Sequence, residues 1–282
     1  PACEYRLASN MNFRLKTLVI ILIVAFATMA PVCVLSGGES TTTTSTITLA
    51  PGALIEVIGE YAEVRVHRVS SNTLDLKATF HNGEFVDFYS QNLTLEPSNH
   101  FVISAKTGGS GSKSANSIIE LGIPAGMQLY VRTTNRPISI DSASLTTASL
   151  TTTDGKISVT NSSGDYDLST TNSEVIVQSV DGNVNITTTN AHVWFDGMID
   201  AGGNSISTTN GDVAVRLRNG SDVTVSGETH NGEVTVNGGS DGVAKDGDTA
   251  TLEHRIENGA ATLNITNGPG AIHINPETIA VF

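Results

Sequence analysis

Two acidic residues and a histidine occupy equivalent places in neighbouring segments of this chain. Glu174, His192 and Asp212 each lie two residues after the Asn of a Thr-Thr-Asn triplet. Glycosidases and polysaccharide lyases need carboxylates that converge on one groove, and a histidine between them could carry protons. The spacing is therefore compatible with a carbohydrate-active enzyme. It is equally compatible with charged side chains on a solvated strand face.

Two large apolar residues follow at the next position of the same parity. Ile176 and Trp194, the single tryptophan, each lie four residues after a triplet Asn. In a strand this parity points outward, beside Glu174 and His192. Apolar side chains on an exposed face indicate a contact surface, and an indole can stack on a sugar ring or fill a protein pocket. We therefore take Trp194, Ile176, His192 and Glu174 as candidate binding residues. The alternative is that the N-terminal region or a long loop covers them.

Other motifs give no chemistry. Gly238–Gly242 matches the G-x-S-x-G pattern, but no helix follows it, as a nucleophile elbow requires. Asp241, Asp246 and Asp248 form an acidic, Gly-rich loop whose spacing matches no known calcium loop. The sequence thus predicts no catalytic residue, no metal site and no cofactor.

A repeat must position these side chains. The Asn or Asp of six related triplets lies at 135, 154, 172, 190, 210 and 231, which gives spacings of 19, 18, 18, 20 and 21. Apolar residues follow at three and five positions after each corner. They are Ile138/Ile140, Ile157/Val159, Val175/Val177, Val193/Phe195, Val213/Val215 and Val234/Val236. A fixed period near 20 with an internal period of two is typical of a β-solenoid.

The predicted fold is all-β: a right-handed-type β-solenoid, or β-helix, with rungs of 18–21 residues. Asn, Asp and Gly suit the corners because they tolerate left-handed backbone angles. A second turn about half a period later includes Asp181-Gly182 and Asp196-Gly197, so each rung has at least two strands. A β-sandwich also alternates, but it has no reason to repeat one turn.

The chain divides into five segments by composition. Met11 precedes basic residues and an apolar run, so residues 11–36 are expected to be a signal peptide or membrane anchor. Residues 1–10, which come before that Met, are expected to be an upstream or non-native segment. Cleavage near Ser36, an uncleaved anchor and a lipid anchor at Cys33 all stay open, and each exports the body. Residues 37–46 are a Ser/Thr-rich linker. Residues 47–131 form an N-terminal antiparallel β region that caps the solenoid of residues 132–282, whose last stretch caps the other end.

Charge and cysteine content narrow the class of partner. The chain has 28 acidic and 15 basic residues, a formal net charge of −13. A chain with no basic stripe is not expected to bind nucleic acid. Membrane contact is expected through the N-terminal segment alone, if that segment is uncleaved. The two cysteines, Cys3 and Cys33, lie outside the repeats, so the folded body is predicted to lack disulfides.

The segment Ile118–Ile140, IIELGIPAGMQLYVRTTNRPISI, carries a family resemblance. It resembles the adhesin-like β-solenoid domains of unknown function found in bacterial and archaeal envelope proteins. In that family a Pro-containing turn precedes the first Thr-rich rung, as Ile123–Gly126 does here, although Arg136-Pro137 replaces the usual Gly. The resemblance covers roughly residues 47–282 and implies a solenoid with no catalytic residue to carry over.

Together these observations predict an exported protein at the cell surface or elsewhere outside the cytoplasm. Its solenoid would be an adhesin-like binding or scaffold surface without catalysis, with a glycan or an envelope protein as partner. The alternatives are a carbohydrate-active β-helix lyase or glycosidase and a membrane-tethered component of an envelope-stress system.

Overall fold

The computed structural model describes residues 40–81, 85–91, 100–106, 117–199, 201–237, 239 and 242–275. In these residues the chain forms 23 strands and no helix, in keeping with its Val-, Ile- and Thr-rich alternation. The strands are β1 (Ser40–Thr48), β2 (Leu54–Gly59), β3 (Ala62–Arg68), β4 (Thr73–His81), β5 (Phe85–Gln91), β6 (His100–Lys106), β7 (Ser117–Ile123), β8 (Met127–Thr133), β9 (Ile138–Asp141), β10 (Ser144–Thr151), β11 (Ile157–Thr160), β12 (Ser163–Ser169), β13 (Val175–Asp181), β14 (Val184–Thr187), β15 (Val193–Met198), β16 (Gly203–Thr208), β17 (Val213–Leu217), β18 (Val223–His230), β19 (Val234–Val236), β20 (Val243–Asp246), β21 (Thr249–Ile256), β22 (Ala261–Asn267) and β23 (Ile272–Ile274).

Each rung consists of two strands joined by a corner, and successive rungs stack in parallel. Sheet A is the row β5-β6-β2-β8-β10-β12-β14-β16-β22-β18-β21-β20. Sheet B is the row β1-β4-β7-β3-β9-β11-β13-β15-β17-β23-β19. The apolar faces of the two sheets form one continuous core, while the alternate side chains point outward. The predicted all-β solenoid is confirmed.

The inward ladder of sheet B follows the repeat. Val175 pairs with Val193, which pairs with Val213, and Phe195 lies between Val177 and Val215. All six side chains are fully buried. The positions three and five after each corner therefore form the core, as the repeat predicts.

The corners use their Asn side chains differently from the prediction. Left-handed angles occur at the last of the six corners, Asn231, and not at the other five. Instead the amides stack: Asn172 Nδ2 donates to Asp154 Oδ1 at 2.6 Å, Asn190 to Asn172 at 2.8 Å and Asn210 to Asn190 at 2.9 Å. A ladder of this kind links each rung to the next, so the repeat preserves a side-chain contact rather than a backbone angle.

The first Thr of each triplet lies inside the corner. Six such threonines are buried at equivalent places: Thr133, Thr152, Thr170, Thr188, Thr208 and Thr229. Five of their hydroxyls donate to corner carbonyls, for example Thr208 to Ala191 at 3.0 Å and Thr229 to Gly270 at 2.7 Å. Thr188 Oγ1 has no partner among the described residues. The threonines therefore satisfy backbone acceptors that the corner would otherwise bury unpaired.

Glycine follows three of the corners because the backbones of stacked rungs approach closely there. A Cβ added to Gly155 would lie 2.0 Å from the carbonyl oxygen of Arg136, and one added to Gly211 would lie 2.0 Å from that of Ala191. Such contacts are shorter than any real Cβ makes. The glycine is required by the spacing of the rungs rather than by its own flexibility.

The N-terminal region differs from the antiparallel cap predicted for residues 47–131. β2 and β3 form a complete rung that stacks in parallel on β8 and β9, and β6 and β7 stack in parallel on the other side of it. Antiparallel pairing is confined to β1, β4 and β5 at this end. Part of the predicted linker, residues 37–46, is also strand, since β1 begins at Ser40. The stack therefore does not begin at residue 132.

The C-terminal end also departs from the predicted cap. β22 and β23 form a rung that lies between β16/β17 and β18/β19, so the sixth triplet does not stack on the fifth. Ile265, Ile272 and Ile274 lie at the apolar offsets of the repeat if Pro269 is taken as the corner. No Thr-Thr-Asn triplet identifies this rung in the sequence. The antiparallel strands β21 and β20 then close sheet A.

Several predictions concern residues outside the described ranges. These are the N-terminal segments 1–10 and 11–36, Gly238, Ser240 and Asp241 of the G-x-S-x-G motif, and residues 276–282. In the part of the chain that is described, no helix has the length and apolar character to span a membrane.

Candidate binding surface

Trp194 and Ile176 lie side by side on the outer face of sheet B. The register of β13 and β15 pairs them directly, and both side chains are half-buried. Ala214 follows Trp194 on the next rung, so the indole borders a small side chain on that side. The predicted adjacency is thus present, and we call Trp194, Ile176, His192 and Glu174 the Trp194 patch.

The polar residues of the patch are engaged with their neighbours. Lys156 Nζ donates to Glu174 Oε1 at 2.5 Å. The backbone N–H of Asp212 donates to His192 Nδ1 at 2.9 Å. Because Nδ1 is the acceptor there, the 3.5 Å approach of Asp212 Oδ2 to the same nitrogen is not a hydrogen bond. The neutral imidazole consequently carries its proton on Nε2.

Glu174 and Asp212, the two carboxylates that a carbohydrate-active enzyme would need here, both form contacts within the protein. Glu174 pairs with Lys156, and Asp212 Oδ1 accepts the backbone N–H of Ala271 at 2.8 Å. Both carboxylates therefore take part in contacts between rungs. Among the described residues no cluster of His, Cys, Asp and Glu is arranged to hold a metal ion. Asp246 and Asp248 of the predicted acidic loop lie exposed at the β20–β21 turn.

A buried aspartate, Asp196, lies beside the patch and was not predicted from the sequence. Asp196 is 3% exposed and lies within β15, whereas Asp196-Gly197 reads as a turn. Its Oδ2 accepts from Arg216 Nε at 3.1 Å, and a second bond comes from Arg216 Nη2. Its Oδ1 accepts from Arg218 Nε at 3.1 Å, and Arg218 also lies 3.5 Å from Asp181.

This ion-pair network reaches the indole through Arg216. The Arg216 guanidinium carbon lies 6.0 Å from the centre of the Trp194 ring, within the range of a cation–π contact. Asp196 and Arg216 each lie six residues after a corner Asn. Opposite charges at the same position of successive rungs were therefore the sequence signal that could have predicted this ion pair. The result is a partly exposed aromatic surface bordered by paired charges.

Comparison with known proteins finds similar solved structures and one matching family model. Crystal structures of a candidate cell adhesion protein from Clostridium sporogenes (11% identity, TM-score 0.35) and a candidate adhesin from Bacteroides fragilis (9%, 0.42) are similar. The alignments cover 85% and 83% of this chain and 100% and 97% of theirs. Among curated proteins, none matches. The Toastrack DUF4097 family model matches residues 60–275, which include β3 to β23. The chain belongs to the Toastrack DUF4097 family.

Proposed function

We propose that this chain is an exported cell-envelope protein whose β-solenoid is an adhesin-like binding or scaffold surface without catalysis. The observation that carries the proposal is the Trp194 patch. Trp194 and Ile176 are paired and partly exposed on the outer face of sheet B, and the Arg216 guanidinium lies over the indole. A rigid aromatic side chain loses little entropy on binding, which makes it an effective anchor.

Export is the second part of the proposal. Its support is the run from Met11 through basic residues into an apolar stretch, which resembles an export signal. A reporter fused after Phe282 should be active outside the cytoplasm, and deletion of Leu18–Ala27 should retain it inside. Equal reporter activity outside the cytoplasm with and without Leu18–Ala27 would contradict the role given to this stretch.

The patch is tested by binding of the full-length chain to an array of glycans, cell-wall fragments and envelope proteins. Trp194→Ala should weaken binding by about 2 kcal/mol, roughly 30-fold in Kd, if the indole is the anchor. Thr187→Ala, exposed on sheet A, is the matched control and should bind as the wild type does. The class of array component that binds the chain identifies the partner as a glycan or a protein.

A fold measurement separates the two explanations of a negative result. Trp194→Ala should leave the melting temperature nearly unchanged, because the indole is partly solvated and outside the core. A large loss of thermal stability with unchanged binding would make Trp194 a packing residue, and the patch would be abandoned.

A further inference from the structure

A shallow groove lies on the outer face of sheet A, on the opposite side of the core from the Trp194 patch. It has a volume of about 310 Å³ and is lined by residues of β2, β8, β10 and β12 and by Asn183 and Asn185 at β14. Leu54 and Tyr130 form an apolar side of it, and both are half-buried. Asp165, Asp167 and Asn185 form an exposed polar side.

A β-bulge shapes the groove. The register of β10 shifts by one residue between Leu145 and Thr147 against β8, and between Ser144 and Thr147 against β12. The inserted residue accounts for the 19-residue first spacing where the next two are 18. Thr146 is exposed at the bulge and donates to the carbonyl oxygen of Gly126 at 3.0 Å. Bulges bend a strand and re-aim its side chains, and they recur beside binding sites.

Several polar side chains of the groove have hydrogen-bonding atoms without a partner among the described residues. Tyr130, Ser149 and Asp167 make no side-chain hydrogen bond to any residue that the structure describes. Asp165 Oδ1 accepts from Asn183 Nδ2 at 2.8 Å, and Asn185 Oδ1 accepts from Ser205 Oγ at 3.0 Å. That leaves carboxylate oxygens and an amide N–H₂ facing solvent beside an aromatic ring.

We propose that this groove binds a saccharide chain that carries no negative charge. Tyr130 would pack against the apolar face of a sugar ring, while Asp165 and Asp167 would accept hydrogen bonds from its hydroxyl or ammonium groups. The three strand spacings from β8 to β14 give a length of about 14 Å, enough for more than one ring. Two exposed carboxylates on a chain of net charge −13 repel an anionic polymer, which favours a neutral or cationic saccharide. Arg132, also on β8, does not line the groove.

Three hexasaccharides of different charge test the proposal by calorimetric titration into the full-length chain. The probes are hexamers of N-acetylglucosamine (neutral), glucosamine (cationic) and galacturonic acid (anionic). We expect the glucosamine hexamer to bind best, the neutral hexamer more weakly, and the anionic hexamer not to bind. Preferred binding of the anionic hexamer, or no binding of any probe at millimolar concentration, would overturn the proposal.

Variants then place the sugar in the groove. Tyr130→Ala should raise the Kd by about tenfold through loss of the ring contact. Asp167→Arg changes an exposed side chain that makes no hydrogen bond to any described residue. It should abolish binding of the cationic hexamer, and it keeps the test valid if Tyr130→Ala fails to fold. Gln178→Ala, exposed on sheet B, is the control and should leave the Kd unchanged.

The groove and the Trp194 patch can fail independently. Loss of saccharide binding in Trp194→Ala, with Tyr130→Ala unaffected, would assign the sugar to the patch and refute the groove. Loss in Tyr130→Ala and Asp167→Arg alone would support the groove, whatever the patch binds on the array.

Discussion

Along the central rungs, the outer faces of the two sheets use their charged side chains differently. On sheet B, Lys156 pairs with Glu174 and Asp196 pairs with Arg216 and Arg218, so the charges connect neighbouring rungs. On sheet A, Asp167 lies exposed and makes no side-chain hydrogen bond to any residue in the described ranges. The repeat places both kinds of side chain by the same rule. The difference lies in whether the next rung supplies a partner, and a face without partners is left for contacts outside the molecule.

The largest expected effect is on the core that both faces share. Val193→Asp would place an unpaired charge at a fully buried site, and the free energy of unfolding should fall by several kcal/mol. Because one core supports both sheets, chemical denaturation should disrupt the two faces together. Fluorescence of Trp194 reports on sheet B, and hydrogen exchange of β12 reports on sheet A. Separate transitions of the two probes in the wild type would show that the faces are independent units.

An intermediate effect should distinguish the faces directly. Asp196→Ala removes a buried acceptor of two arginines, which are themselves about one-third exposed and can return to water. We expect a loss of about 1–2 kcal/mol in the free energy of unfolding. Asp167→Ala on sheet A should change it by less than about 0.5 kcal/mol. Urea denaturation of both variants measures the difference, and equal losses would remove the contrast between the faces.

The smallest expected effect is a pH dependence that arises on sheet B. A hydrogen bond from Lys77 holds the pKa of Glu120 below its usual 4.5, with the charges of Lys77, Arg65 and His67 acting in the same direction against partial burial. Hydrogen bonds from Thr160 and Asn161 likewise lower the pKa of Asp141 below 3.8.

The sign follows from proton binding. A carboxyl whose pKa is lowered by folding stabilises the protein above its unfolded pKa, and this stabilisation is lost as the pH falls through the folded pKa. For exposed pairs the loss should be about 0.5 kcal/mol between roughly pH 6 and pH 3. Glu120→Gln should reduce it, as measured by denaturation midpoints across that range. An unchanged pH profile in Glu120→Gln would exclude this carboxyl as the source.

Periodicity was enough to predict the core and the neighbours within the central rungs. The pairing of Ile176 with Trp194 follows from counting, because equal offsets from successive corners meet on adjacent strands. The role of Asp196 was missed although its offset from the corner equals that of Arg216, because Asp-Gly is typical of turns and the bulge in β13 at Ser179 is invisible in the sequence. The exchange of rungs at the ends was missed for another reason. Pairing between segments that are not consecutive depends on which edges are free, and no local pattern records it.

The exchanged rungs at the two ends also determine how such a protein can change in length. β18 and β19 reach their place only when β22 and β23, which come later in the chain, lie between them and β16/β17. A new repeat inserted directly after β19 could therefore not simply stack on the rung that precedes it in the sequence, because β22/β23 and β21 already pair with that rung. Copies can be inserted or removed among the central rungs, where chain order and spatial order coincide. The interleaved ends act as fixed terminators, so the length of the exposed faces can vary while the closures stay the same.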